Sequence, residues 1–308
     1  MPLHFGLALE PGPRQDQPVT AWLDGLDAVI PRLAGRFTSL WLTDHFMWED
    51  APTFEAWTAM AFLAARYPAF QIGSAVLSQS YRNPALLAKM AATLHGLSGG
   101  RLILGLGAGW KEDEYRAYGY EFPDPKTRVD QLAETLEIVT RLWSNPGPVT
   151  YEGRHYRVVG AWCEPRPDPR PTLLVGGRGR RTGLLAVRYA DWWNIPDAGF
   201  DEYRERAAVV RGHCERTGRD PASLRLTWFG RIALGRSEAQ ATARASPRWT
   251  RANAFVGTPA AVVEQIAPFI ELGVTCFMFE VQALSDPEVI PMLVEEVLPA
   301  LSGLAADR

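Results

Sequence analysis

The chain contains little cysteine. Only Cys163, Cys214 and Cys276 occur among 308 residues, and no two of them form a C-x-x-C pair. An odd and widely spaced set of this kind supports neither a disulfide framework nor a thiolate zinc site. No H-x-H or H-E-x-x-H pattern occurs either, so the sequence predicts no metal site. A reducing cytosol is the expected compartment.

Long hydrophobic runs and an excess of one charge are also lacking. The apolar N-terminal run stops at Pro11 without a basic segment before it, and apolar runs of about 18 residues are absent. Neither a signal peptide nor a membrane span is therefore expected. The formal net charge is −3, from 32 Lys and Arg against 35 Asp and Glu. So small a charge gives no field that attracts polyanions, so a nucleic-acid partner is not expected. The few cysteines and the lack of a signal peptide predict a cytoplasmic protein.

Short β-prone runs alternate with longer segments of helical period along the chain. Eight such runs occur, at 4–9, 39–43, 70–77, 101–107, 172–175, 191–195, 225–234 and 275–281. Strands separated eight times by helices of roughly 10–15 residues predict a (β/α)8 TIM barrel. Two insertion segments are expected, a hairpin at 149–157 and a polar excursion without clear period at 237–253. No composition shift marks a boundary, so 1–308 is predicted to be one domain.

The active site of a (β/α)8 barrel lies at the carboxyl ends of its strands. Polar or glycine-rich segments follow four of the predicted strands, at 42–46, 73–77, 105–110 and 175–181. We therefore expect the functional residues of this chain in these four segments.

His45 follows the second predicted strand, and its near-neutral intrinsic pKa suits an acid, a base or a polariser of an electron-rich ring. We predict that His45 is the catalytic residue; a hydrogen-bonded structural histidine is the alternative. Strand alternation places Asp44 on the opposite side, so the two residues are not expected to ligate one metal. Asp44 is assigned to the cofactor-binding residues, with acceptance of hydrogen bonds from neighbouring loops as its alternative role.

The segment after the fourth predicted strand spaces its glycines as G-x-G-x-G. Trp110 stands where the dinucleotide motif G-x-G-x-x-G places its third glycine, so a Rossmann site is not predicted. Two interpretations stay open for Gly107, Ala108 and Gly109: a tight turn that needs small residues, or backbone that lies close to a flat ring system. Trp110 is either a core residue or a stacking surface.

The loop after the fifth predicted strand combines glycine with cationic side chains. Its residues are Gly176, Gly177, Arg178, Gly179, Arg180 and Arg181. Glycine leaves backbone N–H groups unobstructed at a helix start, and cations there oppose the helix dipole unless an anion offsets them. We favour a phosphate site over a solvated basic helix start. The acidic residues 112–114 occupy another first helical turn, where the dipole favours acids, and a structural role is expected for them.

Several long segments, in the same order, resemble the luciferase-like monooxygenase superfamily, and within it the coenzyme F420-dependent oxidoreductases. They include LWLTDHF, GGRLILGLGAGWKEDEYRAYG, YEGRHYRV, PTLLVGGRGRRTGLLAVRYADWWN and VGTPAAVVEQIAPFIELGV. The resemblance implies a (β/α)8 barrel with an insertion, a homodimer, and a flavin or deazaflavin at the carboxyl ends of the strands. It also implies a non-prolyl cis peptide at or near Ala75-Val76, against which the ring rests.

The same resemblance assigns roles to individual residues. His45 is placed to act on the ring or on the substrate, Ala75 and Val76 contact the ring, and residues 107–110 line the cofactor. The loop 176–180 lies near the cofactor's phosphate. The sugar-phosphate dehydrogenase branch has an acidic proton donor after its G-x-G segment, whereas this chain has Trp110. Oxidation of a phosphosugar is therefore not expected.

The leading hypothesis is an oxidoreductase that transfers a hydride between coenzyme F420 and an organic small molecule. The alternative is an FMN-dependent monooxygenase that takes reduced flavin from a partner reductase and reacts with oxygen. A flavin-binding protein without turnover and a metal-dependent barrel hydrolase are weaker hypotheses, the latter because strand-end clusters of His and carboxylates are missing. Tryptophans near predicted strand ends, Trp48, Trp110, Trp192 and Trp193, indicate an aromatic-lined pocket, with a place in the core as the alternative for each.

Overall fold

Eight parallel strands close into a barrel, which confirms the predicted (β/α)8 architecture. The structure is a computed structural model that describes residues 2–49, 51–250 and 252–306. In chain order its strands are β1 (His4–Ala8), β2 (Ser39–Leu42), β3 (Gln71–Ser74), β4 (Leu77–Ser78), β5 (Leu102–Gly107), β6 (Val149–Glu152), β7 (Arg157–Ala161), β8 (Thr172–Gly176), β9 (Trp192–Pro196), β10 (Arg225–Leu234), β11 (Ala254–Gly257) and β12 (Val274–Val281). The barrel order is β1-β2-β3-β5-β8-β9-β10-β12, and pairing of β12 with β1 closes the ring. Each of the eight predicted strands is present.

Helices connect the barrel strands. They are α1 (Val19–Val29), α2 (Ala56–Arg66), α3 (Pro84–Leu97), α4 (Glu112–Ala117), α5 (Pro125–Ser144), α6 (Arg180–Tyr189), α7 (Phe200–Thr217), α8 (Glu238–Arg244), α9 (Pro259–Glu271), α10 (Val289–Pro291) and α11 (Leu298–Ala306), with 3₁₀ turns at Ile30–Leu33 and Pro221–Ser223 and a π-helical stretch at Met292–Val297. Local signals start several of them. At α3, the Asn83 side chain accepts hydrogen bonds from the N–H groups of Ala85 and Leu86 at 3.0 and 3.3 Å, and Pro84 is the first helical residue. A cap of this kind stabilises a helix by about 1 kcal/mol.

Large side chains from alternate strand positions fill the barrel interior. The members of this layer are Ala8, Trp41, Ile103, Leu174, Trp192, Phe229, Cys276 and Met278. Glycine makes room for the largest of them, since a Cβ at Gly73 would lie 2.5 Å from Cε3 of Trp41. Because the layer is packed, a ligand site belongs above it, at the carboxyl ends of the strands.

The third predicted strand and the inserted hairpin differ from their predicted bounds. The run predicted at 70–77 is broken, because β3 ends before the cis peptide Ala75-Val76 and β4 follows it. The hairpin consists of β6 and β7, and its second strand begins at Arg157, where the prediction ended it. The turn is closed by Gly153 N, which donates to Tyr156 O at 2.9 Å. The turn is therefore longer than the predicted Glu-Gly-Arg.

The excursion at 237–253 has more regular structure than its sequence indicates. Helix α8 occupies its first half, and the Ser237 hydroxyl accepts a hydrogen bond from Gln240 N at 3.3 Å. Strand β11 follows the excursion and pairs in parallel with β10. The helix was missed because Ala241 is its one buried residue, so the sequence carries no apolar stripe at helical spacing.

The C-terminal helical run Val289–Ala306 is long and apolar enough to span a membrane, judged by length and composition alone. Its side chains Met292, Leu293, Val297 and Leu301 are fully buried and belong to the main hydrophobic core. Such burial is typical of the core helix of a globular protein.

Candidate active site

His45 lies in the loop after β2 and is held by a carboxylate from α4. Its Nδ1 lies 3.2 and 3.1 Å from the two carboxylate oxygens of Glu114, a completely buried residue. The same carboxylate accepts hydrogen bonds from the N–H groups of Phe46 and Met47, both at 3.1 Å, and from the Tyr81 hydroxyl at 3.3 Å. Four donors thus converge on one carboxylate, which fixes both the loop and the imidazole ring.

The charge of Glu114 determines which nitrogen of His45 carries a proton. Burial raises the pKa of Glu114, but hydrogen bonds from His45 and from the Met47 backbone outweigh it, so this pKa lies below the ordinary carboxyl value. An ionised carboxylate only accepts hydrogen bonds, so Nδ1 of His45 carries a proton. Nε2 of the neutral ring is then an acceptor, and no hydrogen bond to it exists within the described residues. His45 is thus arranged as a proton acceptor at the barrel mouth.

Sequence reasoning did not single out Glu114. It lies in the first turn of α4, where the helix dipole favours acids whatever their role. Its neighbours Glu112 and Asp113 conform to that interpretation, since both are exposed and pair locally with Arg116 and Lys111. Position along the chain does not distinguish a buried acid from these two exposed ones. The one available signal was the adjacent aromatic side chain, which marks the buried face of the helix.

The side chain of Asp44 is directed into the protein. It is fully buried and accepts two hydrogen bonds from the guanidinium of Arg82, at 2.9 and 3.0 Å. It also accepts a hydrogen bond from the backbone N–H of Ser78 at 2.9 Å. These bonds fix the loop after β2 to β4, just beyond the cis peptide. In this structure Asp44 is therefore a positioning residue, its alternative role in the sequence analysis, and its carboxylate is not open to a cofactor.

The peptide Ala75-Val76 is cis, as the family resemblance implies. The Val76 side chain lies over two glycines of the neighbouring strands: a Cβ at Gly107 would be 2.6 Å from its Cγ2, and a Cβ at Gly176 would be 2.8 Å from its Cγ1. Glycine at both positions lets the segment after β3 lie across the ends of β5 and β8. We call Ala75, Val76, Gly107 and Gly176 the shelf. Ala108 continues it as a half-buried residue that packs against the core.

Gly109 turns the chain so that Trp110 faces outward. Its φ of 74° is in the left-handed region, and a Cβ there would collide with the hydroxyl of Tyr115. Trp110 is 65% exposed, and its ring centroid lies 5.7 Å from that of His45. The Trp48 ring flanks the same imidazole at 4.6 Å. Of the two interpretations of Trp110, the structure supports the stacking surface.

Trp192 and Trp193 do not belong to this aromatic group. They begin β9, so they lie at the amino end of the barrel, opposite the mouth. Trp192 belongs to the interior layer beside Trp41, and Trp193 is buried against Tyr203. The predicted contribution of these two tryptophans to the pocket is therefore wrong, because proximity to a strand end does not specify which end.

The three arginines after β8 do not converge on one point. Arg178 forms an ion pair with Glu202, and Arg181 forms one with Asp130. Arg180 is exposed and has no ion pair with any residue that the structure describes. The sequence predicted that a phosphate offsets the unfavourable interaction of these arginine charges with the helix dipole. For Arg178 and Arg181, protein carboxylates offset it instead.

The start of α6 has backbone donors without a side-chain cap. Gly179 is the residue before this helix and provides no side chain to cap its first N–H groups. The Gly177 N–H is already donated to Asn194 O at 3.0 Å. The donors left for an anion are therefore the first N–H groups of α6 and the guanidinium of Arg180.

A second polar group stands on the other side of the mouth and was not identified from the sequence. Arg231 on β10 places Nη1 3.1 Å from both carboxylate oxygens of Asp197, which follows β9. Its Nε lies 3.0 Å from Oε1 of Glu280 on β12. The available signal was a charged residue near the carboxyl end of each of two apolar strands, β10 and β12.

The residues at the mouth fit a planar ring cofactor that carries a phosphate. The shelf is an apolar surface that any Cβ at Gly107 or Gly176 would disrupt, and His45 follows β2, the neighbour of β3 in the barrel. The start of α6 with Arg180 suits a phosphate. Across the described ranges, no three His, Cys, Asp or Glu side chains are grouped as metal ligands. The fold is that of a (β/α)8 barrel, and its mouth combines a histidine held by a buried carboxylate with an apolar shelf.

The chain belongs to the luciferase-like monooxygenase family. The model of that family matches residues 34–253, which extend from the segment before β2 to the end of the excursion after β10. The protein is therefore an oxidoreductase of the luciferase-like class, as the resemblance in its motifs implies.

Curated relatives of this chain include enzymes named for coenzyme F420. An F420-dependent glucose-6-phosphate dehydrogenase of Amycolatopsis mediterranei is 27% identical over 86% of this chain and 90% of its own length. Another, of Kineococcus radiotolerans, is 31% identical over 75% of this chain and 66% of its own length. A phthiodiolone/phenolphthiodiolone dimycocerosates ketoreductase of Mycobacterium bovis is 31% identical over 70% of this chain and 56% of its own length.

Solved structures with the same fold include both F420 and monooxygenase enzymes. An F420-dependent secondary alcohol dehydrogenase, in complex with an F420-acetone adduct, superposes with a TM-score of 0.82 at 21% identity, over 98% of this chain and 99% of that one. The EDTA monooxygenase of Chelativorans sp. BNC1 superposes with a TM-score of 0.80 at 17% identity, over 98% and 94%. At these identities the likeness establishes the fold alone.

Proposed function

We propose that this protein binds coenzyme F420 and transfers a hydride between it and an organic substrate. The observation that carries the proposal is His45, whose Nδ1–H is held by buried Glu114 and whose Nε2 has no hydrogen-bond partner among the described residues. The choice of F420 is supported by the two dehydrogenases that match 86% and 75% of this chain.

The residues of the mouth have distinct tasks in this proposal. When bound, F420 supplies the group that accepts or donates the hydride. The shelf holds its ring, and Arg180 with the start of α6 holds its phosphate. Nε2 of His45 accepts the proton that a substrate hydroxyl loses when its carbon is oxidised, and returns it when a carbonyl is reduced. Glu114 keeps the imidazole in the tautomer that this transfer needs.

An FMN-dependent monooxygenase is the second candidate function. The EDTA monooxygenase shares the fold, and an FMN phosphate would fit the same helix start as the phosphate of F420. Such an enzyme would take reduced flavin from a partner reductase and consume oxygen. The anion site therefore does not discriminate between the cofactors, and a binding experiment is required.

The experiment is a titration of cofactor-free protein with F420 and, separately, with FMN, followed by fluorescence quenching. We expect F420 to bind more tightly. Arg180→Ala should weaken F420 binding by about 10–100-fold, the value of a charge-assisted hydrogen bond. Arg181→Ala is the matched control, because Arg181 is paired with Asp130, and it should leave the affinity unchanged.

The outcomes separate the candidates. Preference for FMN, together with oxygen uptake in the presence of reduced FMN, would replace the proposal by the monooxygenase. Binding of neither cofactor would contradict both. Equal loss of F420 affinity in the two arginine variants would place the phosphate elsewhere than at Arg180.

Two further predictions concern the protein as a whole. We propose that it is a homodimer, as its relationship to the family implies, and that it acts in the cytoplasm, as its few unpaired cysteines indicate. Light scattering of the purified protein tests the first statement, and localisation of a tagged chain tests the second.

A further inference from the structure

The polar group on β9, β10 and β12 occupies the position from which a barrel contacts its substrate. Arg231 and Glu280 are register partners on adjacent strands. Two positions before them, Phe229 and Met278 belong to the interior layer. Alternate residues of a strand share one face, so Arg231 and Glu280 point toward the barrel axis, directly above that layer. With Asp197 they form what we call the acid–arginine triad.

The triad leaves one group of the arginine free. Nη1 and Nε are committed to Asp197 and Glu280, at 3.1 and 3.0 Å. The ring of Trp249, from the excursion after β10, lies 3.6 Å from the guanidinium carbon. Nη2 donates no hydrogen bond to any residue in the described part of the chain. The guanidinium is therefore fixed on two edges and one face, and Nη2 keeps two N–H donors for a ligand.

The charge of the triad is net negative when both carboxyl groups are ionised. Burial raises the pKa of Asp197 and of Glu280 above the ordinary carboxyl value, and the nearby Arg231 charge reduces this rise without removing it. Glu10, after β1, adds a further negative charge close to Glu280. The Arg231 charge is thus surrounded by acids, in contrast to an arginine that is free to bind an anion. Arg178 also acts on Asp197, but its own charge is paired with Glu202.

We propose that the acid–arginine triad selects uncharged substrates and rejects phosphate esters. Nη2 of Arg231 donates to a hydroxyl or carbonyl oxygen of the substrate, whereas Asp197 and Glu280 repel a dianion that approaches the same donor. This inference rests on the proposed function, because it defines the substrate side of the same mouth. It separates this chain from the glucose-6-phosphate dehydrogenases that it resembles in sequence.

The first test compares substrates in the F420-loaded enzyme. Secondary alcohols and aldehydes are the uncharged probes, and glucose 6-phosphate is the charged one. The wild type should turn over uncharged probes with a kcat/KM at least tenfold above that for glucose 6-phosphate. Arg231→Ala should raise KM for uncharged probes about tenfold or more and change kcat less. Arg236→Ala, which removes an exposed Arg–Glu pair on the chain after β10, is the matched control.

The second test measures anion binding without turnover. Inorganic phosphate is titrated by calorimetry into F420-saturated wild type, into Asp197→Asn/Glu280→Gln, and into that double variant with Arg231→Ala added. The double variant should bind phosphate at least tenfold more tightly than the wild type, and Arg231→Ala should abolish the gain. Both substitutions preserve side-chain volume, and thermal unfolding checks that the variants fold.

Each outcome bears on the inference separately from the proposed function. Efficient turnover of glucose 6-phosphate by the wild type, or no gain of phosphate binding in the double variant, would overturn the inference while F420 binding stands. Unchanged KM in Arg231→Ala would make the triad purely structural. If F420 itself does not bind, the proposed function fails, and the phosphate titration is repeated in Arg180→Ala protein, where the cofactor's anion site is removed.

Discussion

Glu114→Gln is the substitution that tests the catalytic dyad most directly. The amide has nearly the volume of the carboxylate, and its oxygen still accepts the hydrogen bonds from Phe46 and Met47, which both reach Oε1. The other oxygen becomes an NH₂ group, which faces two former donors, His45 Nδ1–H and the Tyr81 hydroxyl. Nδ1 also lies 3.2 Å from the remaining oxygen, but a neutral amide no longer requires a proton on Nδ1, and the imidazole accepts from the new NH₂ group when its proton shifts to Nε2. His45 would present a donor to the mouth where the wild type presents an acceptor.

The expected loss follows from the value of acid–base catalysis. Correctly placed general acids and bases contribute about 10²–10⁴-fold, so Glu114→Gln should lower kcat/KM for F420-dependent turnover by about 10²–10³-fold. That range equals about 3–4 kcal/mol of barrier. Glu114 does not contact the mouth, so F420 affinity should change by less than about threefold. The free energy of unfolding should fall by about 1–3 kcal/mol, the cost of mismatched buried hydrogen bonds.

The pH dependence of stability supplies a second readout. A carboxyl group whose folded pKa is lowered stabilises the protein above its unfolded pKa, and this contribution is lost as pH falls through the folded value. Glu114 is such a group, so the wild type should lose stability below about its ordinary pKa of 4.5. Glu114→Gln should show a smaller loss between pH 5 and pH 3, since the amide does not titrate. Thermal unfolding of the wild type and of Glu114→Gln between pH 5 and pH 3 measures the two losses of stability, and the loss should be smaller in the variant.

A matched control and a clear contrary result complete this test. Glu112→Gln changes an exposed acid in the same helical turn and should leave turnover and stability within about 0.5 kcal/mol of the wild type. Wild-type kcat/KM and an unshifted pH–rate profile in Glu114→Gln would refute the role of the dyad, because the tautomer argument requires both to change.

Three further predictions concern the residues around the dyad. Gly107→Ala places a Cβ 2.6 Å from the Val76 side chain, so it should weaken F420 binding and destabilise the protein by about 1–3 kcal/mol. Gly147→Ala, where a Cβ would have no atom within 4 Å, should do neither, and fluorescence titration with urea unfolding compares the two variants. Asp44→Asn breaks a buried ion pair with Arg82 and should cost about 3–5 kcal/mol in urea unfolding, and a loss below 1 kcal/mol would contradict its positioning role. Trp110→Ala removes a 65% exposed ring, so stability should change by less than about 0.5 kcal/mol while KM for an aromatic or apolar substrate rises severalfold in steady-state assays.

The barrel was predictable because its sequence signals are local. Each strand is a short apolar run between glycine or polar breaks, and β1, β2, β8 and β10 lie within one or two residues of their predicted bounds. Residues of the mouth that sit in such breaks, above all His45, were predictable for the same reason. The cis peptide at Ala75-Val76 was predictable only through the family resemblance, since no composition or period in the sequence marks it.

The residues that sequence reasoning missed all act through partners far away in the chain. Glu114 lies 69 positions from His45 in the chain. It lies in the first turn of α4, where the helix dipole already accounts for an acidic residue, so the sequence gives no reason to assign it another role. Arg231 lies 34 positions from Asp197 and 49 from Glu280. Such pairs depend on two things: the order of strands around the barrel and the direction of each side chain within a layer. The alternation of strands and helices in the sequence predicts the strand order. It does not predict the side-chain directions. The paired roles of Arg178 and Arg181 were missed for the same reason.

In the two proposals, cofactor binding and substrate selection belong to different strands of the barrel. The shelf and the start of α6, which we propose to hold the cofactor, lie at the ends of β3, β5 and β8, whereas the acid–arginine triad, which we propose to face the substrate, lies at the ends of β9, β10 and β12. His45, which serves the proton of the substrate, follows β2. The backbone hydrogen bonds of the barrel hold each strand end in place whatever side chains it carries, so the substrate side can change while the cofactor side is kept. Such a separation would let the proposed selectivity of the acid–arginine triad differ from that of a relative named as a glucose-6-phosphate dehydrogenase, which is 27% identical over 86% of this chain.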